Sequence, residues 1–243
     1  EISECLVGSE MCIRDRSYSE HSKYRGVDGV IVACVDFEAE EVKELLQSGI
    51  PVVTIDYIFN DKACVMSDNI RGMEQLVSYI IQCGHKKIAY IHGADSFVTR
   101  SRIGSFLRTM KKYGIETEDR YIREGIYHAP DVSAKITHEL LSLEDRPTCI
   151  VYPDDFSCIG GINVIRSKGL SIPNDISVAG YDGQRIARVI EPKITTYRQN
   201  TEQIGKVAAA KLVELIEQPE LALVERLDVQ GELIRGCSVL SMK

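Results

Sequence analysis

The segment "SIPNDISVAGYDG", residues 171–183, combines a short apolar run with an acid at its end. Residues 176–181 are apolar or small at nearly every position, which is typical of a parallel strand covered by helices on both faces. Asp182 follows the run at once, and Gly183 comes behind it. Ligands of open α/β sheets bind outside the carboxyl ends of the strands. The segment therefore predicts a buried strand that delivers a carboxylate to a ligand-binding edge.

The same pattern of strand and helix recurs along the chain. Apolar runs that predict further strands occupy residues 27–33, 51–55, 87–91 and 148–152. Apolar residues at helical spacing separate these runs, in segments that end near Gly84, Gly114, Pro147, Gly169 and Pro219. Alternating strands and helices predict an α/β fold with parallel sheets.

Length and composition limit the functions that the chain could have. Its 243 residues, 44% of them hydrophobic, suffice for two lobes of roughly 100 residues each. The net charge of −7 comes without a basic stripe, so nothing in the sequence indicates a nucleic-acid surface. No apolar run approaches the ~18 residues of a membrane span. The eight cysteines show no CxxC spacing and resemble the reduced thiols of a cytoplasmic protein.

Acidic residues follow several of the predicted strands. Asp56 follows residues 51–55, Asp154 and Asp155 follow residues 148–152, and Asp36 lies just past residues 27–33. Carboxylates accept strong hydrogen bonds, so together they indicate a site for a polar ligand. Each of them could instead form a turn or cap a helix, and we expect Asp155 to cap a helix that begins at Phe156.

Motifs of the common enzyme classes are missing from the sequence. It contains no GxGxxG, GxxxxGK[ST] or GxSxG segment. None of the five histidines has HExxH spacing or pairs with cysteine at zinc-like spacing. The sequence therefore predicts a binding protein without catalytic residues, cofactor or metal.

Four segments together are specific enough to indicate a family. They are "SDNIRGMEQLVSYIIQCGHKKIAYIHG" (67–93), "SRIGSFLRTMKKYG" (101–114), "PDDFSCIGGINVIRSKGLSIPNDISVAGYDG" (153–183) and "ITTYRQNTEQIGKVAAAKLVELI" (194–216). In this order they resemble the effector-binding part of the lactose-repressor and galactose-repressor family of bacterial transcription regulators. The resemblance runs from about Gly26 to about Val239.

The resemblance implies two doubly wound subdomains of the type I periplasmic-binding-protein class. The N-terminal subdomain, which the resemblance implies is incomplete, would comprise residues 27–84 plus 196–219. The C-terminal one would comprise 86–194 plus 220–240. An effector would bind in the cleft between them, and closure of the cleft would control operator binding through a helix-turn-helix headpiece. The family also implies a homodimer, a cytoplasmic location and no membrane contact.

The resemblance assigns effector contacts to particular residues of this chain. They are Arg102, Asp182, Tyr127, Asp154, Asp68, Asp56 and Tyr57. Asp154 departs from the family, in which many members have asparagine at this position. Carboxylates and a bidentate arginine recognise the hydroxyl groups of a sugar, and an aromatic ring packs against its apolar face. Simpler interpretations remain open: a surface arginine for Arg102, core packing for Tyr127 and a helix cap for Asp68.

The start of the sequence does not match the family. Residues 1–17, "EISECLVGSEMCIRDRS", have no counterpart in the family, and "MCIRDR" resembles a translated transposon end from a sequencing library. We therefore interpret residues 1–26 as a non-native leader. The resemblance begins at the third strand of the family, which implies that the headpiece and the first strands are missing.

Two functions lead among those compatible with these patterns, ahead of an enzyme on the same scaffold, which would need turnover of a bound ligand. The first is the effector-sensing domain of a transcription regulator, with a sugar as the expected effector. The second is a periplasmic sugar-binding component of a transporter, which has the same fold. The TTYRQ segment and the unpaired cysteines favour the regulator.

Overall fold

The computed structural model describes residues 17–59 and 61–242. Within them strands and helices alternate along most of the chain, as the sequence predicts, and at two places one strand follows another without a helix between them. The helices are α1 (Tyr18–Arg25), α2 (Glu40–Gln47), α3 (Asn69–Gln82), α4 (Phe97–Lys112), α5 (Pro130–Leu141), α6 (Asp155–Ser167), α7 (Ile186–Val189) and α8 (Thr201–Glu217). The strands are β1 (Val30–Val32), β2 (Val52–Ile55), β3 (Ala63–Ser67), β4 (Ile88–His92), β5 (Ile122–Glu124), β6 (Cys149–Val151), β7 (Ser177–Asp182), β8 (Thr195–Arg198), β9 (Arg226–Val229) and β10 (Glu232–Ile234).

The chain forms two compact units. Unit 1 comprises the described residues up to Met66 together with Glu202–Asp228. Unit 2 comprises Ser67–Thr201 and the described residues from Val229 onward. The chain therefore passes between the units three times.

Unit 1 contains a sheet of four strands in the order β1-β2-β3-β9. The pairs β1–β2 and β2–β3 are parallel. Helix α2 buries Val42, Leu45 and Leu46 against Val32 and Val52 of the sheet. These aliphatic residues form the core of the unit, because their burial removes apolar surface from water.

Unit 2 contains a sheet of six strands in the order β10-β8-β7-β6-β4-β5. All neighbouring strands are parallel except β10, which pairs with β8 in the antiparallel direction. The carboxyl ends of β4, β6, β7 and β8 consequently lie at one edge of the sheet. This arrangement confirms the predicted α/β class with parallel sheets.

Helices cover both faces of the sheet in unit 2. Successive residues of each strand point to opposite faces, so Ile150 and Val151 of β6 belong to different core clusters. Helices α3 and α4 pack on the face of Val151, and helices α5 and α6 pack on the face of Ile150. Both faces are therefore apolar, which explains the continuous hydrophobic runs in the sequence.

The observed units differ from the predicted subdomains at three places. Helix α3 was predicted to belong to the N-terminal subdomain of residues 27–84 plus 196–219, but it lies in unit 2. Its apolar stripe, including Met73 and Leu76, packs with Phe106 of α4. Strand β8 also lies in unit 2, between β7 and β10. Strand β9 was predicted, with residues 220–240, for the C-terminal subdomain, but it pairs with β3 in the sheet of unit 1. The sequence showed where the helix is, but not which sheet its apolar face would cover.

The predicted leader, residues 1–26, lies only partly within the described residues. Residues 17–26 form helix α1 with its caps, and this helix contacts α2. Ser17 and Glu20 form a reciprocal capping box, in which each side chain bonds to the backbone of the other. The prediction excluded these residues from the fold, whereas they form a capped helix in unit 1. Residues 1–16 lie outside the described part.

Two further observations concern the described residues alone. No helix among them is long and apolar enough to cross a membrane. Their cysteines, Cys34, Cys64, Cys83, Cys149, Cys158 and Cys237, are free thiols.

Candidate functional site

Strand β7 delivers Asp182 to the carboxyl edge of the sheet in unit 2. The backbone of Asp182 has φ of 93°, which is uncommon for a residue other than glycine. Its carbonyl oxygen still accepts a hydrogen bond from the backbone of Gln199 at 3.2 Å. The positive φ turns the chain at the strand end, and only 18% of the Asp182 side chain is exposed.

Arg102 of helix α4 is the central cation of this edge. The residue is only 3% exposed. Its Nε donates to Oδ1 of Asn69 at 2.8 Å, and its Nη1 donates to the carbonyl oxygen of Pro153 at 3.2 Å. Its guanidinium lies 3.7 Å from the centre of the Tyr181 ring, which is a favourable cation–π arrangement. Arg102 is therefore a buried, fixed residue rather than a surface arginine.

Arg102 and Asp182 form a separated pair of charges. Nη2 of Arg102 lies 3.9 Å from Oδ1 of Asp182, which is longer than a hydrogen bond. Burial raises the pKa of Asp182, although Arg102 and a hydrogen bond from Gln199 act to lower it. Burial acts to lower the pKa of Arg102, but the surrounding tyrosines and Asp182 outweigh it and raise this pKa. Within the described residues, a donor and an acceptor thus stand side by side without bonding each other.

Tyr127 brings an aromatic ring to the same edge. Its ring centre lies 5.8 Å from the guanidinium carbon of Arg102. Its hydroxyl and that of Thr99 are 2.9 Å apart, and the Thr99 hydroxyl donates to the carbonyl oxygen of Ala94. Since Thr99 has spent its only proton, Tyr127 is the donor in this pair. The half-buried ring of Tyr127 is thereby held beside Arg102.

Asp154 lies at the edge but has a structural role. It is fully buried, and its Oδ1 accepts from the backbone nitrogen of Ser157 at 2.7 Å. Its Oδ2 accepts from the Ser157 hydroxyl and from the backbone nitrogen of His128. Asp154 is thus the N-cap of α6, which begins at Asp155. The prediction that Asp155 caps this helix was wrong by one residue.

Asp155 is buried behind the edge without full hydrogen bonding. Its Oδ2 accepts from the backbone nitrogen of Gln184 at 2.7 Å. Its Oδ1 has no hydrogen-bond partner within the described residues. Burial raises the pKa of Asp155 to about 7, although the Thr196 side chain and a hydrogen bond from the Gln184 backbone act to lower it; the neighbouring Asp182 and Asp154 act in the same direction as burial. The sheet edge therefore holds an acid that resists ionisation.

Asp68 caps helix α3, as the simpler interpretation of this residue expected. Its Oδ1 accepts from the backbone nitrogen of Arg71 at 3.0 Å. The next residue, Asn69, is the one that reaches the site, through its bond to Arg102. Asp68 thus contributes by placing Asn69 at the first turn of the helix.

Asp56 and Tyr57 belong to unit 1, where they follow strand β2. The ring of Tyr57 stacks on Phe37 at 4.2 Å, and its hydroxyl donates to Glu38 at 2.9 Å. Burial raises the pKa of Tyr57, and the bond to Glu38 raises it further. Asp56 has φ of 60°, which suits a tight turn at the strand end.

The structure therefore brings Arg102, Asp182 and Tyr127 together, and it adds residues that the sequence did not single out. Asn69, Tyr181 and Gln199 each contact Arg102 or Asp182. All three lie in segments that carried the family resemblance. Their neighbours Asp68 and Asp182 drew attention instead, because a charge is easier to recognise as functional than an amide or a buried ring.

Comparison with known proteins identifies the fold and its use elsewhere. Residues 77–239 match the periplasmic binding protein-like domain family. The HTH-type transcriptional repressor PurR of Mannheimia succiniciproducens is 29% identical over 229 residues, covering 92% of this chain and 68% of the repressor. The corresponding PurR of Vibrio vulnificus is 32% identical over 212 residues, covering 85% of this chain and 63% of the repressor.

Solved structures of similar proteins include regulators with bound sugars. The transcriptional regulator CelR in complex with cellobiose has a TM-score of 0.80 and 26% identity, over 92% of this chain and 71% of that one. A LacI family regulator from Enterococcus faecium with bound ribose has a TM-score of 0.80 and 25% identity, over 93% and 83%. The chain therefore belongs to the periplasmic binding protein-like family, as the effector-binding part of a lactose-repressor-type transcriptional regulator.

Proposed function

We propose that this chain senses a sugar or a related polyhydroxylated metabolite for a transcription regulator. The observation that carries the proposal is the separated pair of Arg102 and Asp182. Nη2 of Arg102 is a charged donor, and the carboxylate of Asp182 is a charged acceptor 3.9 Å away. Adjacent hydroxyl groups of a sugar can accept from the first and donate to the second.

Tyr127 supports a sugar over a simple anion. Sugar rings have apolar faces that pack against aromatic rings, and the Tyr127 ring is fixed next to Arg102. A small anion would be attracted by Arg102 but repelled by Asp182 and would not use the ring. The cellobiose and ribose complexes of similar regulators agree with this choice.

The regulator is favoured over a component of a transporter. The similar proteins described above are transcriptional repressors and regulators. We also propose that the chain is not an enzyme and acts in the cytoplasm, as these relatives would. The chain spans about two thirds of the length of the repressors that it matches. Operator binding and a homodimer with a palindromic operator are therefore proposals about the whole regulator.

A thermal-shift screen tests the proposed function. The 243-residue chain would be heated with ribose, cellobiose, other mono- and disaccharides, and purine bases. A ligand that binds only the folded state raises the melting temperature according to its concentration relative to Kd. We expect one or more sugars to raise it. A response to purines alone would contradict the proposal that the effector is a sugar. A lack of response to both classes would contradict effector sensing by this chain.

A further inference from the structure

All three passages of the chain between the units lie close to the candidate site in unit 2. The passages follow Met66, Thr201 and Asp228. Each passage has a residue, at most three positions away on the unit 2 side, that is hydrogen-bonded to Arg102, to Asp182 or to the nearby Tyr197. These residues are Asn69, Gln199 and Gly231.

The first two passages bond directly to the pair of charges. Oδ1 of Asn69 accepts from Nε of Arg102 at 2.8 Å. The amide of Gln199 donates to the carboxylate of Asp182, and its backbone nitrogen donates to the carbonyl oxygen of Asp182. A ligand that moves Arg102 or Asp182 would act on both passages without an intermediate.

The third passage reaches the site through Tyr197 of strand β8. The backbone nitrogen of Gly231 donates to the Tyr197 hydroxyl at 2.8 Å. A side chain at position 231 would lie 2.1 Å from the carbonyl oxygen of Arg198 and 2.8 Å from the Tyr197 ring, so only glycine allows this approach. Val229 in the same passage accepts from the backbone nitrogen of Asp68 at 2.9 Å. The third passage is thus held against both β8 and the first passage.

The Tyr197 ring packs against the Tyr181 ring, over which the guanidinium of Arg102 lies. The ring centres of Tyr197 and Tyr181 are 5.3 Å apart, and both residues are fully buried. The guanidinium of Arg102 lies 3.7 Å from the Tyr181 ring centre, and its Nη2 lies 3.9 Å from Oδ1 of Asp182. Close-packed interiors transmit small displacements, because buried rings have no free space in which to relax.

We propose that Tyr197 is a positioning residue that couples the Arg102–Asp182 pair to the Val229–Gly231 passage. Its ring follows Tyr181, and its hydroxyl holds the backbone of Gly231. The inference rests on the proposed function only in taking this pair as the place where an effector binds. The coupling itself exists without an effector and can be measured in the free protein, so a failed ligand screen and a failed coupling test are separate results.

Hydrogen exchange of the Gly231 amide tests the coupling in the full chain. Tyr197→Phe keeps the ring and removes the acceptor, so the Gly231 amide should exchange about tenfold faster or more. Arg102→Lys does not touch Gly231, yet it should also speed this exchange, by about threefold or more. The matched control is Arg100→Lys, which lies on the same helix and pairs with Asp95 on the exposed surface. It should leave the Gly231 rate unchanged.

The double variant and a reciprocal measurement complete the test. Tyr197→Phe combined with Arg102→Lys should exchange no faster at Gly231 than Tyr197→Phe alone, because the contact chain is already broken. A Gly231 rate in Arg102→Lys that equals the rate in Arg100→Lys would overturn the proposal. If Arg102→Lys does not fold, the exchange rate of the Nε–H proton of Arg102 is measured in the Tyr197→Phe variant instead. Faster exchange of that proton supports the coupling, and an unchanged rate overturns it.

Discussion

Nη2 of Arg102 and Oδ1 of Asp182 are 3.9 Å apart at the carboxyl edge of the sheet in unit 2. The other nitrogens of Arg102 that form hydrogen bonds are directed at Asn69 and Pro153, so the guanidinium cannot turn freely towards the acid. A closed ion pair would have to open before a ligand could bind. This pair is held apart by its neighbours, and a ligand can therefore use both charges without first separating them.

Arg102→Lys should weaken binding of the effector found in the screen by roughly tenfold or more. Lysine keeps the charge but cannot bond Asn69, Pro153 and a ligand with one planar fork. The free energy of unfolding should also fall by about 1–3 kcal/mol, because buried acceptors lose a charged donor. Calorimetric titration and chemical denaturation measure the two effects. Arg100→Lys is the control and should change neither the affinity nor the free energy of unfolding. If Arg102→Lys binds the effector as tightly as the parent, the planar guanidinium of Arg102 does not contact the ligand.

Asp182→Asn should weaken effector binding by about 2 kcal/mol or more, which is roughly 30-fold. The amide presents a neutral acceptor where the ligand hydroxyl meets a carboxylate. Protonation has the same effect in the parent protein. Because the pKa of Asp182 is raised by burial, affinity should fall as the pH decreases through that raised pKa.

The pH dependence distinguishes a direct role of Asp182 from a structural one. Titrations from neutral to acidic pH should show affinity falling in the parent protein and much less so in Asp182→Asn. Asp131→Asn, an exposed acid at the start of α5, is the control and should behave like the parent. Parallel pH profiles for the parent protein and Asp182→Asn would mean that another group controls binding.

The sequence predicted the strands that are apolar on both faces and the acids that follow them. It pointed to Asp182 for a physical reason, since ligands of open α/β sheets bind outside the carboxyl ends of the strands, although such an acid can also form a turn or cap a helix. It could not separate Asp154 from Asp155, because a helix can begin one residue earlier or later at similar cost. It also assigned α3 to the N-terminal subdomain, whereas the helix lies in unit 2, because an apolar stripe shows that a helix is buried but not which sheet buries it. Asn69 and Gln199 were missed because their importance depends on contacts that no local pattern encodes.

Gly72→Ala should destabilise the protein by about 1–3 kcal/mol, the usual cost of overpacking a core. The added Cβ would lie 2.3 Å from the Tyr181 hydroxyl and 2.6 Å from the Tyr197 ring. Gly205→Ala in α8 is the matched control, since it is also a helical glycine and, apart from its chain neighbours and the backbone of its own helix, no described atom lies within 4 Å of its added Cβ. The control should be neutral or up to about 1 kcal/mol more stable, because alanine favours helices. Denaturant midpoints would decide, and equal effects of the two substitutions would argue against the packing of α3 on Tyr181 and Tyr197.

Asp155 should make the protein less stable at neutral pH than at mildly acidic pH. Its pKa is raised to about 7 in the folded state, against a usual value near 3.9 in the unfolded chain. Below about pH 4 both states carry the proton, and Asp155 costs nothing. Between about pH 4 and 7 the folded state alone keeps the proton, so the contribution of Asp155 to stability falls as the pH rises. A single group of this kind changes the free energy of unfolding by at most about 1.4 kcal/mol per pH unit.

Asp155→Asn removes this titration while leaving an oxygen to accept from the backbone of Gln184. We expect the variant to be more stable than the parent at pH 8, and its advantage to shrink steadily as the pH is lowered towards 4. Urea denaturation at a series of pH values measures the difference, in which all other titrating groups cancel. Asp131→Asn controls for the loss of one negative charge and should show no such trend. A difference between Asp155→Asn and the parent that stays constant from pH 4 to 8 would mean that Asp155 is ionised throughout, and that hydrogen bonds from Thr196 and the Gln184 backbone outweigh its burial.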